Sequence, residues 1–391
     1  MDYEIVKLIE IADFNKESIG KNSNYEFINY LDTANITNGA IDTIVRMPIE
    51  EAPSRAKRIV HNNDIVYSTV RPNLCHYGIL DSPVENMIVS TGFTVISCKD
   101  NVNPYYVYNY LTQNDITSQL HSIAENSTSA YPSIKPSDLE GIEIKLPKLD
   151  IQNKIAKILT DIDKKIKINN DINNNLYELA INYLNEKVEE NEVPVSKFAK
   201  IQGGYAFKSK DLIDTYTKNR IIKIKNLRSE INADVINSQF VENEVVEKLD
   251  NKFRLSKGDV AIAMTGAELG KTGFIYGNDN YYLNQRVGVI RGNNKACELY
   301  LNILFLSDEF QILLNSKGYG SAQPNISTSD IENILINDIT DDNLNKLYEI
   351  IKPIYEKIIS NSEEILNLEQ IRDTLLPKLM NGEIDLDNIE I

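Results

Sequence analysis

Three short motifs contain residue types that could carry catalysis, beginning with the segment GAELGKT at residues 266–272. It ends like a phosphate-binding loop. In such a loop four residues separate the first glycine from the Gly-Lys-Thr, because the backbone must wrap around the phosphates, whereas three separate them here. We therefore interpret this segment as a tight glycine turn and expect no ATP site.

The other two motifs are a carboxylate–lysine set and an Asn-Pro dipeptide. Asp138, Glu143 and Lys145 have the order of a metal-dependent nuclease triad, in which carboxylates hold the ion and lysine polarises the water. Asn103-Pro104-Tyr-Tyr is similar to the Asn-Pro-Pro-aromatic motif of adenine methyltransferases but lacks the second proline. No glycine-rich cofactor loop accompanies it, so the simpler interpretation places Pro104 near the start of a helix.

The possible metal ligands with sulfur or imidazole groups are few and scattered. They are Cys75, Cys98, Cys297, His61, His76 and His121. This inventory supports neither a disulfide framework nor a zinc knuckle, so we predict no metal site and no cofactor.

Length and hydropathy indicate an ordinary globular protein. The 391 residues suffice for two or three domains, each with its own core. No run approaches about 18 apolar residues. The first residues, MDYEIVKLIE, are acidic and lack the layout of a signal peptide, so we expect a cytoplasmic protein with no membrane partner.

Charge is distributed unevenly along the chain. The net charge of −16 at first argues against a nucleic-acid partner. Residues 1–150 contain 12 Lys and Arg against 20 Asp and Glu, whereas residues 194–340 contain 18 against 17. Within 197–228 there are nine basic residues and two acidic ones. Phosphate contacts need a local basic stripe of this kind, although a solvated surface can have the same composition.

Two stretches of about 150 residues show the same order of predicted elements. In the first, β-branched and aromatic segments predict strands at 26–36, 64–70 and 87–98, a helix at 103–123 and a strand at 141–146. In the second, the corresponding elements are strands at 220–227, 259–265 and 281–292, a helix at 298–317 and a strand at 333–338.

The two stretches also align residue by residue near their ends. STSAYPSIKPSDLEGIEIKL aligns with GYGSAQPNISTSDIENILIN, so that Pro132 matches Pro324 and Asp138 matches Asp330. A repeat of this length indicates two copies of one fold rather than a solenoid.

The duplication also argues against the nuclease triad. Glu143 falls on Leu335 and Lys145 falls on Asn337, so only Asp138 has a matching carboxylate. We therefore interpret the shared aspartate as a helix N-cap before a strand and expect no nuclease site.

Each copy is followed by a long amphipathic helix. The first runs from Asp150, a plausible N-cap, to about Lys187. Its predicted stripe is Ile151, Ile155, Ile158, Ile162, Ile172, Leu176, Leu179 and Tyr183, with Lys165 and Asn169 as polar members. The second stripe is Leu344, Leu347, Ile351, Ile354, Ile358, Ile365, Leu368 and Leu375. Its spacing is that of a coiled coil, and Pro353 should kink or split its helix.

We predict that each apolar seam packs against the other one. This gives four segments: a first domain at 1–149, a helix at 150–193, a second domain at 194–340, and a helix with a tail at 341–391. If the helices run antiparallel, we expect them to carry the two domains to opposite ends of a rod, related by an approximate two-fold axis. Duplex DNA has the same symmetry.

Further motifs accompany the duplicated segments GSAQPNIS (320–327) and STSAYPSI (127–134) in a fixed order. They are KLPKLDIQNKIAKILTDIDKKI (145–166), IQGGYAF (201–207), IIKIKNL (221–227), GDVAIAMTGAELGKTGF (258–274), YLNQRV (282–287) and LLPKLMNGEI (375–384). Each is weak alone. Together they resemble the specificity subunit of a type I restriction-modification system over nearly the whole chain.

The sequence departs from the family pattern at two places. The second long helix follows NDITDDNLNKL, without the Pro-Leu…Gln signature found at 146–152. VRPNLCHYGI (70–79) stands where the family often has a Gly-Lys turn like Gly270-Lys271, so base-reading residues transfer poorly there.

The resemblance implies an α+β fold with two pseudo-repeated, mixed α/β target-recognition domains. They would be joined by two long antiparallel helices that form a coiled-coil spacer. It implies that each domain reads one half of a split double-stranded DNA target. It also implies two docked methyltransferase subunits, attached restriction/translocase subunits, and no catalytic residue in this chain.

We expect DNA contacts at the strand-to-turn junctions of each copy and along the basic stripe. In the first copy the candidates are Arg58, Ser68, Arg71, Asn73, His76 and Tyr131. In the second they are Lys208, Lys225, Asn226, Arg228, Lys271, Gln285, Arg286 and Gln323. Arginine, glutamine and asparagine can pair with base edges, while lysine more often neutralises phosphate. For each of these residues an ordinary surface or turn role is the alternative.

Two other classes of function stay open at this point. One is a coiled-coil scaffold that assembles partner subunits and whose DNA-reading surfaces are degenerate. The other is a self-sufficient nuclease or ATPase, which would be active as a purified chain with a divalent metal.

Overall fold

The computed structural model describes residues 2–20, 25–127, 131–228, 231–317 and 324–386. The chain forms two compact units. The first unit comprises Met1–Lys164 together with Glu369–Ile391, and the second comprises Lys165–Leu368. Each long helix therefore contributes to both units, and the first unit is discontinuous in sequence.

The first unit contains twelve strands among its described residues. They are β1 (Tyr3–Lys7), β2 (Ala12–Phe14), β3 (Phe27–Leu31), β4 (Ile36–Thr37), β5 (Ala40–Ile41), β6 (Val45–Pro48), β7 (Ala56–Ile59), β8 (Ile65–Ser68), β9 (Tyr77–Ile79), β10 (Met87–Ser90), β11 (Phe93–Cys98) and β12 (Glu143–Pro147). Its helices are α1 (Leu8–Ile11), α2 (Pro104–Leu111), α3 (Asn114–Glu125), α4 (Pro136–Glu140) and the first part of α5 (Leu149–Asn185).

These strands form two four-stranded sheets and two small pairs. The sheet orders are β2-β11-β8-β9 and β6-β3-β10-β7, and the pairs are β1-β12 and β4-β5. Strands β3 and β10 are parallel, while the other pairings are antiparallel. Apolar residues that alternate along β8 and β11 face two different cores, which is why both faces of these strands are buried.

The described residues of the second unit form eleven strands. They are β13 (Glu192–Pro194), β14 (Ala199–Gly203), β15 (Leu212–Ile213), β16 (Asn219–Ile222), β17 (Gln239–Val241), β18 (Arg254–Leu255), β19 (Val260–Ala263), β20 (Thr272–Phe274), β21 (Asn280–Leu283), β22 (Val287–Gly292) and β23 (Leu335–Asn337). Its helices are α6 (Asn243–Val246), α7 (Lys295–Phe305), α8 (Asp308–Lys317), α9 (Thr328–Glu332) and most of α10 (Asp341–Met380).

The sheets of the second unit repeat those of the first. The order β14-β22-β19-β20 corresponds to β2-β11-β8-β9, and β17-β16-β21-β18 corresponds to β6-β3-β10-β7, with β15 added at one edge. The pair β16-β21 is parallel, like β3-β10, and β13-β23 matches β1-β12. The internal duplication predicted from the sequence is confirmed by this topology.

The two long helices pack antiparallel within each unit. In the first unit Arg372 of α10 donates to Asp163 of α5 at 3.0 Å. In the second, Asn169 of α5 donates to Glu364 at 2.9 Å, and Asn343 donates to the carbonyl of Lys187 at 3.1 Å. The predicted antiparallel helix pair is therefore present.

Three details of the predicted helices were wrong. α5 begins at Leu149, so Asp150 lies in its first turn rather than at the N-cap. α10 is not split at Pro353, because this proline is on an exposed face where the carbonyl it cannot bond remains open to water, while a kink there stays a prediction. The predicted seam is displaced in the second unit: Ile172 and Leu179 are 38% and 55% exposed.

Part of the predicted seam is retained in the second unit, where Asn169 is buried and Leu176 and Tyr183 are partly buried against the core. Asn173, Ala180 and Leu184 form the rest of the buried face of α5. Asn169 and Asn173 can be buried because side chains of α10 form hydrogen bonds with their amide groups. Hydrophobic periodicity cannot predict such bonds. Ile168, Ile172 and Leu179 consequently form an exposed apolar stripe.

Candidate nucleic-acid interface

Three turns of the second unit meet at strand ends of its two sheets. The parallel strands β16 and β21 end side by side, with Ile222 opposite Leu283, so the turns that follow them share an edge. Strand β19 ends at Ala263, opposite the first residue of β22. The turns 223–228, 264–271 and 284–286, with residues 203–208, are hereafter the second loop cluster.

Backbone hydrogen bonds hold this cluster together. The amide of Asn284 donates to Ile222 at 3.1 Å, and that of Met264 donates to Arg286 at 3.0 Å. The segment after the described gap joins them, since Ile326 donates to Met264 at 3.0 Å and Gly266 donates to Pro324 at 3.0 Å. The positions of the exposed side chains are thus set by main-chain bonds rather than by the side chains themselves.

Gly204 permits the closest approach within the cluster. A β-carbon at this position would lie 2.1 Å from the carbonyl oxygen of Asn284, so no larger residue fits. The next residue, Tyr205, donates its amide to Leu283 at 2.9 Å and is 37% exposed. Its ring contacts Phe207 and Phe253, with centroids 5.0 and 5.6 Å apart. Tyr205 was not among the residues predicted to contact DNA, although the paired glycines of IQGGYAF directly precede it.

Four predicted contact residues present free polar groups on this cluster. Gln285 and Arg286 are exposed at the tip of the β21–β22 turn, and Lys225 and Lys208 are exposed on the neighbouring turns. Within the described part of the chain, none of their side-chain polar atoms has a hydrogen-bond partner. The amide of Gln285 and the guanidinium of Arg286 can pair with base edges, while the ammonium groups of Lys225 and Lys208 can contact phosphates.

Two other predicted residues are already ion-paired. Lys271 pairs with Glu268, and Arg228 pairs with Asp234 at 2.9 Å. The side chains of Lys271 and Arg228 remain partly or largely exposed, so a DNA phosphate could compete with the carboxylate for them. They stay predictions with weaker support than Gln285 and Arg286.

Asn226 requires a correction, and Gln323 lies outside the described residues. Asn226 is 1% exposed; its side chain accepts from the amide of Lys223 at 3.0 Å and donates to the carbonyl of Asp234 at 3.0 Å. Both polar groups are therefore used to shape the turn, and no base edge can reach them.

Part of the basic stripe at 197–228 also has a structural role. Arg220 pairs with Asp279 at 2.6 Å and donates to backbone carbonyls of the 235–238 turn. Lys223 donates to Gln239, and burial and the nearby Lys225 lower its pKa. The residues of the stripe that remain exposed are Lys197, Lys200, Lys208, Lys210, Lys218, Lys225 and Arg228.

The equivalent turns of the first unit also meet. Thr69 donates its amide to Gly92 at 2.8 Å, as Met264 does to Arg286. Arg71 donates to Pro132 at 2.9 Å, as Gly266 does to Pro324. The turns 69–76 and 91–92 with residues 131–134 are hereafter the first loop cluster.

Arg71 and Tyr131 are the prominent side chains of the first loop cluster. The Arg71 guanidinium lies 5.4 Å from the centroid of the Tyr131 ring, within cation–π range, and Tyr131 is 63% exposed. Asn73 is exposed on the same turn. His76 is half-buried, with Nδ1 2.7 Å from the carbonyl oxygen of Ile36, which leaves Nε2 available.

Two candidates of the first unit do not fit a base-reading role. Ser68 is 2% exposed and its hydroxyl both donates to and accepts from the backbone of Val70, at 3.1 and 3.2 Å. Ser68 therefore stabilises the turn, and its buried hydroxyl cannot contact DNA as predicted. Arg58 lies on β7, outside the first loop cluster, with Nη1 3.2 Å from Ser18 Oγ.

The three motifs with catalytic residue types occupy structural positions. Gly266–Lys271 joins β19 to strand β20, whereas a phosphate-binding loop leads into a helix. Asp138 and Asp330 accept the amides of Lys135 and Ser327 at 2.7 and 2.9 Å, which places each in the first turn of a helix rather than at the N-cap.

Asn103 caps α2 by accepting the amide of Tyr106 at 3.1 Å, and Pro104 is the first helical residue, as expected. Among the residues that the structure describes, no group of three His, Cys, Asp or Glu side chains could hold a metal ion. Nor does any helix of the described chain have the length and apolarity to cross a membrane.

The fold and the paired loop clusters define a class of protein. A family model for the type I restriction modification DNA specificity domain matches residues 1–178 and 202–370. The chain therefore belongs to this family and contains its DNA-recognition domains.

Individual relatives agree with this assignment. The HindI type I restriction enzyme specificity subunit of Haemophilus influenzae is 23% identical, and the alignment covers 92% of this chain and 95% of the relative. The MjaIX specificity subunit of Methanocaldococcus jannaschii is 25% identical, with 87% and 82% covered. The solved S subunit of a type I system from M. genitalium matches with a TM-score of 0.58 at 13% identity, covering 97% of this chain and 96% of that one, which indicates a shared fold.

Proposed function

We propose that this chain reads a bipartite double-stranded DNA target, with one half read by each loop cluster. The observation that carries the proposal is the occurrence, in both units, of the same sheet order ending in tethered turns with exposed polar side chains. On this proposal the domains are 1–149 and 194–340, and the helical segments are 150–193 and 341–391.

The contact residues we propose are those whose polar groups remain accessible. In the second unit these are Lys208, Lys225, Gln285 and Arg286, with Lys271 and Arg228 as secondary phosphate contacts. In the first unit they are Arg71, Asn73, His76 and Tyr131. Exposed arginine and glutamine at the tip of a turn can pair with guanine and adenine, whereas lysine neutralises phosphates.

We further propose that the chain has no catalysis of its own and directs two methyltransferase subunits, and with them restriction/translocase subunits, to the DNA. The exposed apolar stripe of Ile168, Ile172 and Leu179 supports an assembly role, because a solvated helix rarely keeps such a stripe without a partner. The cytoplasm is the proposed location of this assembly.

Mapping adenine methylation tests the proposal. Arg286→Ala with Lys225→Ala should leave the assembled complex intact but abolish the preference for one half of the target. Loss of a base pairing by arginine corresponds to about 1–3 kcal/mol, or roughly 5- to 150-fold in discrimination. If the variant methylates the same sites with the same preference, the chain acts as a scaffold and the DNA-reading proposal fails.

A salt titration with the purified chain is a second test. Affinity that rests on phosphate contacts must fall as salt rises, since bound counterions are released. The Lys225→Ala variant should reduce the slope of log K against log salt by about one. A flat response would remove the phosphate contacts from the proposal, and activity of the purified chain with a divalent metal would contradict the absence of catalysis.

A further inference from the structure

A buried polar layer lies in the helix seam of the second unit. Asn173 of α5 and Asn361 and Ser362 of α10 are 4%, 2% and 0% exposed. Asn361 Nδ2 donates to Asn173 Oδ1 at 2.9 Å, and Asn173 Nδ2 lies 3.1 Å from Ser362 Oγ and 3.3 Å from the carbonyl oxygen of Ile358. These groups satisfy each other only in one alignment of the two helices.

Such a layer favours one helix register over its neighbours. Sliding α10 by one turn would place the amide of Asn173 against an apolar part of the seam, where it would lose its partners. Apolar residues would give a more stable seam, but one that tolerates several registers. The asparagines therefore fix an alignment that the hydrophobic residues alone do not define.

The polar layer continues into the sheet domain. Ser362 Oγ lies 3.3 Å from Asn232 Oδ1, and its one proton is shared between this oxygen and the carbonyl oxygen of Ile358, 2.9 Å away in the same helix. Asn232 pairs with Phe274 of β20 as an isolated bridge, and the amide of Ala233 donates to Phe274 at 3.0 Å. The segment 231–234 is thus attached to α10 on one side and to the sheet on the other.

The same segment holds one turn of the second loop cluster. The amide of Asp234 donates to Asn226 at 2.7 Å, and Asn226 Nδ2 donates back to the carbonyl of Asp234 at 3.0 Å. Asp234 also pairs with Arg228 at 2.9 Å. Hydrogen bonds, together with the covalent chain from Asn232 to Asp234, therefore connect the helix seam to the turn that carries Lys225 and Arg228.

We propose that Asn173, Asn361, Ser362 and Asn232 are positioning residues for DNA reading by the second unit. The asparagine pair sets the height of α10 along α5, and the Ser362–Asn232 bond transmits that height to the 223–228 turn. The target half read by the second unit is then recognised only when the helices are in register. This inference rests on the proposed DNA-reading function, and it adds a route from the helices to one loop cluster.

The experiment uses the complete methyltransferase complex and a double-mutant cycle. Methylation rates are measured on DNA with an intact target and with single-base changes in each half, and the Arg286→Ala variant identifies the half that belongs to the second unit. Ser362→Ala and Asn232→Ala should each lower discrimination in that half about fivefold, the effect of one hydrogen bond. Both variants remove the Ser362–Asn232 bond, and Ser362→Ala also removes an acceptor of Asn173, so the double variant should be no worse than Ser362→Ala alone.

Matched controls separate positioning from general damage. Ser360→Ala changes an exposed serine on the same helix and should have no effect. The Asn173→Leu, Asn361→Leu pair should keep or raise the melting temperature while discrimination in the second half falls. A stabilised protein with weakened reading is not what a merely structural layer would produce.

The outcomes distinguish this inference from the function on which it rests. If the unaltered complex discriminates in neither half, the proposed DNA-reading function itself fails. If it discriminates and the variants match it, lose both halves equally, or show effects that multiply in the double variant, the positioning role is overturned.

Discussion

The two units share a scaffold but place their functional side chains at different points on it. At equivalent places the second unit has Arg286 and the first has Gly92, as the matching bonds from Met264 and Thr69 show. On the preceding turn the pattern reverses, because Arg71 of the first unit matches Gly266. The arginine therefore lies on a different turn in each unit, although the backbone hydrogen bonds of these turns are the same. The scaffold preserves positions, and the side chains on it are free to differ.

The exchange has a conformational cost in the first unit. Arg71 and Cys75 have φ angles of 48° and 55°, in the left-handed region, where the second unit has Gly266 and Gly270 with φ of 79° and 85°. A residue with a β-carbon is strained there by about 1–3 kcal/mol. Retaining a strained arginine where glycine would be easier indicates that its side chain matters, which is consistent with the proposed DNA contact.

The largest expected effect tests whether the left-handed turn is essential to the scaffold. Gly270→Ala would strain the backbone and place a β-carbon 2.7 Å from the Gln311 carbonyl oxygen and 2.8 Å from the Asn315 amide. We expect the second unit to lose about 2–4 kcal/mol of stability, measured by urea unfolding. A loss below about 0.5 kcal/mol is typical of ordinary surface substitutions and would show that the turn can relax. The left-handed conformation would then not be a required feature of the scaffold that the two units share.

A second test concerns the buried aspartates at equivalent positions. Asp64 accepts from Ser97 at 2.6 Å, whereas Asp259 pairs with Arg291 at 2.7 Å. Asp259→Asn removes the charged partner of a half-buried guanidinium and should cost about 2 kcal/mol. Asp64→Asn can keep its amide oxygen on the backbone amide of His61 and turn its NH2 group to the Ser97 hydroxyl, which can rotate to accept, so it should cost much less. Thermal unfolding at pH 7 measures the stability of both variants. Equal losses of stability would show that Asp259 does not depend on its ion pair with Arg291.

The pH dependence of Asp64→Asn sharpens this test. Burial raises the pKa of Asp64, so the native state holds its proton to a higher pH than the unfolded chain does. The resulting stabilisation is fully present below the unfolded value and is lost as pH rises through the native pKa. The Asp64→Asn variant should therefore gain stability relative to the unaltered protein as pH rises above about 4. A stability difference between the variant and the unaltered protein that does not change with pH would contradict a raised pKa of Asp64.

Arg71→Gly separates stability from recognition in the first unit. Removing the strain should stabilise the unit by about 1 kcal/mol, while discrimination in its half of the target should fall about tenfold. Methylation mapping together with a melting curve measures both quantities. Unchanged discrimination would remove Arg71 from the proposed contacts.

Cys75→Gly is the smallest expected effect and serves as the control for Arg71→Gly. It relieves the same kind of strain without removing a charge, so we expect a gain of about 0.5–1 kcal/mol and unchanged target preference. If preference changes as much as in Arg71→Gly, the shape of the turn rather than the guanidinium is responsible.

The sequence predicted the fold further than it predicted the site. The duplication was visible because Pro132 and Pro324 mark the same main-chain contact in both units. Strands such as β7 and β18 were missed because they are short edge strands with mixed composition. The exposure of Ile172 was missed because periodicity counts apolar residues and cannot foresee that Asn173 and Asn361 satisfy each other.

Site residues were harder to predict because polar residues near strand ends also build the turns. Asn226 and Arg286 both have types that can read bases, and both follow a strand. Only the structure distinguishes the buried amide that closes its turn from the guanidinium that projects from one. Side-chain chemistry narrows the candidates, and burial decides among them.

The discontinuity of the first unit has a consequence for biosynthesis. Leu379, Met380 and Leu386 fill its core, and Lys154 donates to the carbonyl of Leu386 at 2.9 Å. Although its sheets emerge first from the ribosome, this core cannot close until the residues after 368 have been translated. The second unit is synthesised later but is one continuous segment, Lys165–Leu368, so it can fold before the first unit is complete. A product truncated before 369 would expose the incomplete core of the first unit to cellular proteases.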